Sequence, residues 1–239
     1  MIKSINLNFH RDGIQVFKNI FSRKLIKLSN QELFRIRNLN LKKKKHFIVS
    51  DKNNHIKYIR DLDYYFPFFK NFIGSKILNL AKIILKEDCY VVNVGLHSKT
   101  GKDSSYTPAH QDNFYWSRKP ARALTAYLAL TKQDKKNGVI SYALGSHRKG
   151  ILPHKASNEK GFSSFIEDKN LKNLNFYSPK LKPGDMIFHH CNIIHKANPN
   201  RLDSIKDSRS SIAIVIYGVS AKESIKLKKK YLNNLHKAK

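Results

Sequence analysis

The sequence predicts a mainly β fold with flanking helices, a β-sandwich or barrel, and three observations carry that expectation. From Cys89 onward, short runs rich in β-branched and aromatic residues recur: "CYVVNVGL", "ALTAYLAL", "GVISYAL", "DMIFHH" and "SSIAIVIYG". Gly, Pro, Asn or Asp interrupts the chain between them, as strand ends require. Most intervening stretches carry no helical period, which argues against strand–helix–strand units and a parallel sheet.

The 239 residues suit one domain with a sizeable core. A hydrophobic fraction of 41% with 11% aromatics fits a globular chain, not a disordered one. No internal repeat and no Gly/Ser- or Pro-rich linker divides it. The expected organisation is a single domain over 1–239: a mainly helical part at about 1–88, a β core at about 89–220 and a basic C-terminal helix at about 221–239.

In the first part, Ser22 is placed to cap a helix carrying Leu25, Leu28, Leu33 and Ile36 on one face. Ser75 is placed to cap "SKILNLAKIILKE", with Ile77, Leu80, Ala81 and Ile84 at helical spacing. At the other end, Leu227, Tyr231 and Leu235 recur every four residues, so a helix would lie on the domain with its lysines in water.

Composition excludes several classes. No window approaches ~20 consecutive apolar residues, so no membrane-spanning helix is expected. The opening "MIKSINLNFHRDG" has no apolar core of a secretory signal, and two cysteines, Cys89 and Cys191, are too few for a disulfide framework. A reducing, cytoplasmic setting is expected. The net charge of +29 admits nucleic-acid binding, an anionic ligand, or lysine-rich solvated faces. Its dense clusters, 41–47 and 226–239, carry no recognisable nucleic-acid motif, so charge does not decide function and a nucleic-acid partner is not expected.

The chemistry sits in "PAHQDNFYW" (108–116). If 109–113 ends an extended segment, His110 and Asp112 project to one side and can converge on one ion. A third ligand would complete a two-histidine, one-carboxylate set for Fe(II) with three positions open. The stretch 183–200 offers three histidines. His195, at a strand end 85 residues after His110, is the expected ligand, whereas His189 and His190 lie inside the apolar run and are expected to pack or hydrogen-bond. A keto-acid reductant such as 2-oxoglutarate would then need a cation for its far carboxylate, which Arg209 can supply, with Ser211 two residues on facing the same way.

These motifs together resemble the phytanoyl-CoA dioxygenase family of Fe(II)/2-oxoglutarate oxygenases, which includes ectoine hydroxylases. "FHRDGIQVFKNIFS" (9–22) is similar to the family's opening, and "AHQDNFYW", "NGVISYALGSHRKG" and "GDMIFHHCNIIHKANPNRLDSIKDSR" match its successive signatures. The resemblance implies a double-stranded β-helix (jelly-roll, cupin-like) core. It implies iron ligation by His110, Asp112 and His195, a salt bridge from Arg209 to 2-oxoglutarate, and dioxygen as the second co-substrate. It further places Tyr127 and Asn93 beside 2-oxoglutarate, and Lys99, Tyr115 and Trp116 at the substrate mouth.

Three positions depart from the family pattern: Ala197 stands for a common serine, Leu144 for a proline, and the lengthened loop leaves Arg201 as a rival to Arg209. The intact Asp112 argues against a halogenase. The expected reaction is hydroxylation of a small, possibly anionic, metabolite, releasing succinate and CO2. Two other classes stay open, a jelly-roll protein that binds a metal or ligand without turnover and a nucleic-acid-associated oxygenase. Nothing in the sequence sets the oligomeric state.

Overall fold

The computed structural model describes residues 7–39, 47–50, 55–101, 106–157, 162–202, 204 and 208–237. The lysines of the 41–46 run lie outside the described residues.

A seven-stranded antiparallel sheet forms the larger layer. Its strands lie in the order Ile14–Phe17, Met186–His190, Ala123–Ala129, Arg209–Gly218, Cys89–Lys99, Ile56–Ile59 and Ile48–Ser50. A four-stranded sheet faces it, in the order Phe176–Tyr177, Ile140–Ala143, His195–Ala197 and Thr107–His110. All five runs expected to be strands are strands. The two facing antiparallel sheets make the core a jelly-roll.

Alternation along the strands explains the two cores. In strand Ala123–Ala129, Leu124, Ala126 and Leu128 join the apolar cluster under the helices, whereas Tyr127 and Ala129 join the cluster between the sheets. Ile212, Ile214 and Ile216 likewise face the helices, and Ala213 faces inward. Period-two side-chain placement therefore gives the central strands two buried faces. Their polar inward residues are held for the site.

The helices cover the outer face of the larger sheet. Ser22 caps helix Arg23–Asn38 by accepting a hydrogen bond from the Leu25 amide at 3.3 Å. The buried stripe is Ile26, Ser29, Leu33 and Ile36, so the expected face is corrected: Leu28 is exposed and Leu25 only half-buried. Spacings of three, four and three bring those four residues to one side. Helix Ser75–Leu85 buries Ile77, Ala81 and Ile84 as expected, but Gly74 is its N-cap and no side chain caps it, so the role given to Ser75 does not hold.

Residues 1–88 are also less helical than expected, since three strands of the larger sheet come from that segment. The strand Ile14–Phe17 escapes a sequence reading because it is only four residues long and directly follows the helical turn Phe9–Asp12 and its cap Gly13. The C-terminal helix Ile225–Lys237 lays Leu227, Tyr231 and Leu235 half-buried against the domain. Among the described residues no helix is long and apolar enough to cross a membrane.

Candidate metal centre

Between the sheets lies a cavity of about 350 Å³, with His110, Asp112 and His195 on its wall. His110 ends strand Thr107–His110, and Gln111 continues extended, with φ −126° and ψ 127°. Asp112 then opens the helical turn Asp112–Trp116, so the pair shares one side although only His110 belongs to a strand. His195 opens strand His195–Ala197 and is the direct cross-strand partner of His110. Pairing neighbours across an antiparallel ladder brings residues 85 apart in sequence to touching distance.

The geometry suits a metal ion. Asp112 Oδ1 lies 3.7 Å from His110 Nε2 and 3.6 Å from His195 Nε2, and the three ligand atoms fall within 4.8 Å of one another. His110 Nδ1 donates to the Pro108 carbonyl at 2.8 Å and His195 Nδ1 to the Ile193 carbonyl at 3.1 Å. A carbonyl only accepts, so each Nδ1 carries the proton and each Nε2 lone pair is turned toward the carboxylate.

The charge states agree with that arrangement. Burial pushes His195 down to about 3 and lowers His110 as well, so both imidazoles are neutral at neutral pH. Burial acts to raise the Asp112 carboxyl, but His195, His189 and His110 together hold it below the usual carboxylate range. The resulting donor set is two neutral imidazoles and one carboxylate.

Gln111 and Asn113 clamp the backbone on either side of Asp112. Gln111 is fully buried, donates to the Gly150 carbonyl at 2.8 Å and accepts from the Leu152 amide at 2.8 Å. Asn113 donates to Asn192 Oδ1 at 2.9 Å and to the Arg118 carbonyl at 3.0 Å. The aromatics divide their work. Phe114 stacks on His154 at 4.0 Å, whereas Tyr115 and Trp116 line the cavity. The Tyr115 hydroxyl donates to the Ser164 carbonyl at 2.6 Å, and Trp116 packs on Tyr217.

Arg209 also lines the cavity, buried at the head of its strand, with one terminal nitrogen donating to the Gly138 carbonyl at 3.1 Å. Its Nε and the Tyr127 hydroxyl are both buried with no hydrogen-bond partner among the described residues. Lys99 pairs with Arg209 across the two strands and lines the same cavity, which places it at the Arg209 end. Ser211 is fully buried and accepts from Gln133 Nε2 at 2.6 Å, and it is not part of the cavity wall. Asn93 donates to Asp61 Oδ1 and likewise stands off the wall. Arg201 is exposed and does not reach the cavity, so it is no rival to Arg209.

Sequence reasoning missed Phe162, whose ring centroid lies 5.0 Å from that of His110, and the inward-facing His97. Burial and then Arg209 push His97 down to about 3, so it stands in the wall as a neutral imidazole. Neither carries a motif that would have marked it. His190, outside the cavity wall, packs on Phe9 and His147, as expected of a packing residue.

A jelly-roll with two histidines and one carboxylate at its centre defines a class of metal-dependent proteins, and the comparisons name the family. The family profile for phytanoyl-CoA dioxygenase matches residues 9–208, and the chain belongs to that family. It is similar to a probable phytanoyl-CoA dioxygenase of Caenorhabditis elegans, with 29% identity over 146 residues, covering 59% of this chain and 45% of that protein. The chain spans about half the length of the first curated relatives it matches, 45% and 56%.

Among solved structures it is similar to EctD from S. alaskensis with bound Fe, at TM-score 0.72 and 22% identity over 90% of this chain and 76% of that one. It is also similar to the same protein with 2-oxoglutarate and 5-hydroxyectoine, at TM-score 0.73 and 21% identity with the same coverage.

Proposed function

We propose that this protein is an Fe(II)- and 2-oxoglutarate-dependent oxygenase that hydroxylates a small, anionic metabolite. The single observation that carries the reading is the convergence of His110 Nε2, Asp112 Oδ1 and His195 Nε2 on one wall of the cavity between the sheets. Family membership and the Fe and 2-oxoglutarate held by structures of similar fold support it. When bound, iron with 2-oxoglutarate and dioxygen supplies oxidation of a C–H bond, yielding succinate and CO2 alongside the product.

His110, Asp112 and His195 would hold the metal through three positions and leave the remainder of an octahedron open. Arg209 and Tyr127 fit the far carboxylate of 2-oxoglutarate, because both line the cavity and each keeps a buried donor without a partner among the described residues. An unsatisfied buried donor is costly, and a carboxylate between them would relieve both. Lys99 sits at this end too, which moves it from the substrate mouth toward the co-substrate. The chain's own share is to position the substrate carbon and exclude water, with no acid or base required.

Cavity size and charge support the substrate class. A volume of about 350 Å³ lies near the lower end of ligand cavities, roughly 300–1,000 Å³, and must accommodate substrate and co-substrate together. Its wall carries Lys57, Lys99, Lys196 and Arg209 against Asp112 as the acidic residue, so its field favours an anion. Tyr115, Trp116 and Phe162 supply apolar surface for the carbon skeleton.

The test is succinate release from 2-oxoglutarate by Fe(II)-loaded protein over a panel of small carboxylates and phosphonates. Substrate-stimulated succinate is expected. Absence of 2-oxoglutarate binding, or unchanged turnover in Asp112→Ala, overturns the reading.

A further inference from the structure

We propose that Tyr142, His189 and Thr125 form a positioning relay that holds Asp112 as a one-oxygen metal ligand. The proposal rests on the reading of His110, Asp112 and His195 as an iron site. His189 and Thr125 are direct cross-strand partners on the inner face of the larger sheet, and both reach the same carboxylate oxygen. The Thr125 hydroxyl donates to Asp112 Oδ2 at 3.0 Å, and His189 Nε2 lies 3.1 Å from it. Behind His189, the Tyr142 hydroxyl lies 3.2 Å from Nδ1. Tyr142 comes from the facing sheet, where it pairs with His195. The relay therefore ties both sheets to one carboxylate.

The tautomer follows from the partners. Asp112 Oδ2 only accepts, so His189 must present Nε2–H to it; Nδ1 is then an acceptor, which the Tyr142 hydroxyl satisfies by donating. Tyr142 and His189 are both buried, so water does not compete for these bonds. With two donors on Oδ2, rotation of the carboxylate to offer both oxygens to a metal would break both hydrogen bonds. Oδ1, the atom nearest the two ligand imidazoles, is left as the donor. This matters because a chelating carboxylate would occupy one of the positions that co-substrate and dioxygen need. His189 is thus a positioning residue, neither a ligand nor a packing side chain alone.

The experiment titrates Co(II), an air-stable probe for the Fe(II) site, into wild type, His189→Phe, His189→Gln and Tyr142→Phe. Visible absorbance reports affinity and coordination number, and circular dichroism reports folding. Loss of the His189 donor is expected to weaken Co(II) roughly 10- to 100-fold and to change the intensity of the visible bands. His189→Gln, which places an amide N–H near the position of Nε2, is expected to restore most of the affinity and the wild-type spectrum. Tyr142→Phe is expected to weaken binding several-fold.

A folded His189→Phe with wild-type affinity and spectrum overturns the proposal, as does His189→Gln binding no better than His189→Phe. If His189→Phe does not fold, Tyr142→Phe decides: an unchanged affinity and spectrum overturns the relay. Wild-type protein that binds neither Co(II) nor Fe(II) overturns the iron-site reading itself, and with it the relay.

Discussion

The guanidinium carbon of Arg209 lies 5.9 Å from the ring centre of Tyr127, and both residues keep a buried polar atom without a hydrogen-bond partner among the described residues. In the proposed reading these two donors receive the far carboxylate of 2-oxoglutarate. Arg209→Ala should therefore weaken 2-oxoglutarate by about 100-fold, roughly 3 kcal/mol, the order expected when one partner of a buried ion pair is lost. Tyr127→Phe should cost about tenfold or less, since a neutral hydrogen bond contributes roughly 0.5–1.5 kcal/mol. Isothermal titration with 2-oxoglutarate and Fe(II) checks both, and equal losses in the two variants would contradict the assignment of the charge to Arg209.

Asp112→Ala removes the carboxylate and leaves two neutral imidazoles. Fe(II) affinity should fall at least about 100-fold, and the thermal midpoint of the metal-free protein should fall as well, because His189 and Thr125 are left as buried donors without their acceptor. Metal titration and differential scanning calorimetry on the same preparations make the measurement.

Gly138 is at φ 75° at the turn before strand Ile140–Ala143, and a Cβ there would overlap the Asn198 carbonyl oxygen. Its own carbonyl accepts from Arg209. Gly138→Ala should cost about 1–2 kcal/mol from the left-handed conformation, with a further loss from displaced backbone. It should also weaken 2-oxoglutarate more than Fe(II), because the displaced carbonyl supports Arg209 and not the histidines. Chemical denaturation and the two ligand titrations distinguish these effects.

The C-terminal helix braces the turn that carries Asp112. Tyr231 packs at 5.6 Å from Tyr115 and 6.1 Å from Phe114, and Asn234 donates to the His154 carbonyl at 2.7 Å. Removing residues 225–239 should lower Fe(II) affinity several-fold and increase amide exchange over 111–117, with little change in the strands Ala123–Ala129 and Arg209–Gly218. Hydrogen exchange read by mass spectrometry checks it, and equal loosening across the sheet would show general destabilisation instead.

Much of this architecture is legible in the residues themselves. The runs from Cys89 to Gly218 announce strands because β-branched and aromatic residues with turn residues between them have few other uses. His110, Asp112 and His195 are legible because motif and order carry them. Less is visible where neighbours decide. Helix Arg23–Asn38 is predicted, yet its buried face is misjudged at Leu28, because leucine on its own does not say which side meets the sheet. Ser75 has the chemistry of a cap, but the chain enters that helix one residue earlier, at Gly74.

Local pattern alone determined the strand runs from Cys89 onward, the His-x-Asp pair and the arginine at a strand entrance, since periodicity and residue chemistry act over a few positions. Only the tertiary structure decided which polar residues share the centre. His189 meets Asp112 across 77 residues and Tyr142 across 47, separations over which no local pattern acts. Ser211 is a plausible site residue by alternation and Asn93 by the family resemblance, and the fold gives their side chains to Gln133 and Asp61. Hydrogen-bond partners inside a closed sandwich are chosen by which strands pair, and strand pairing is a property of the whole chain.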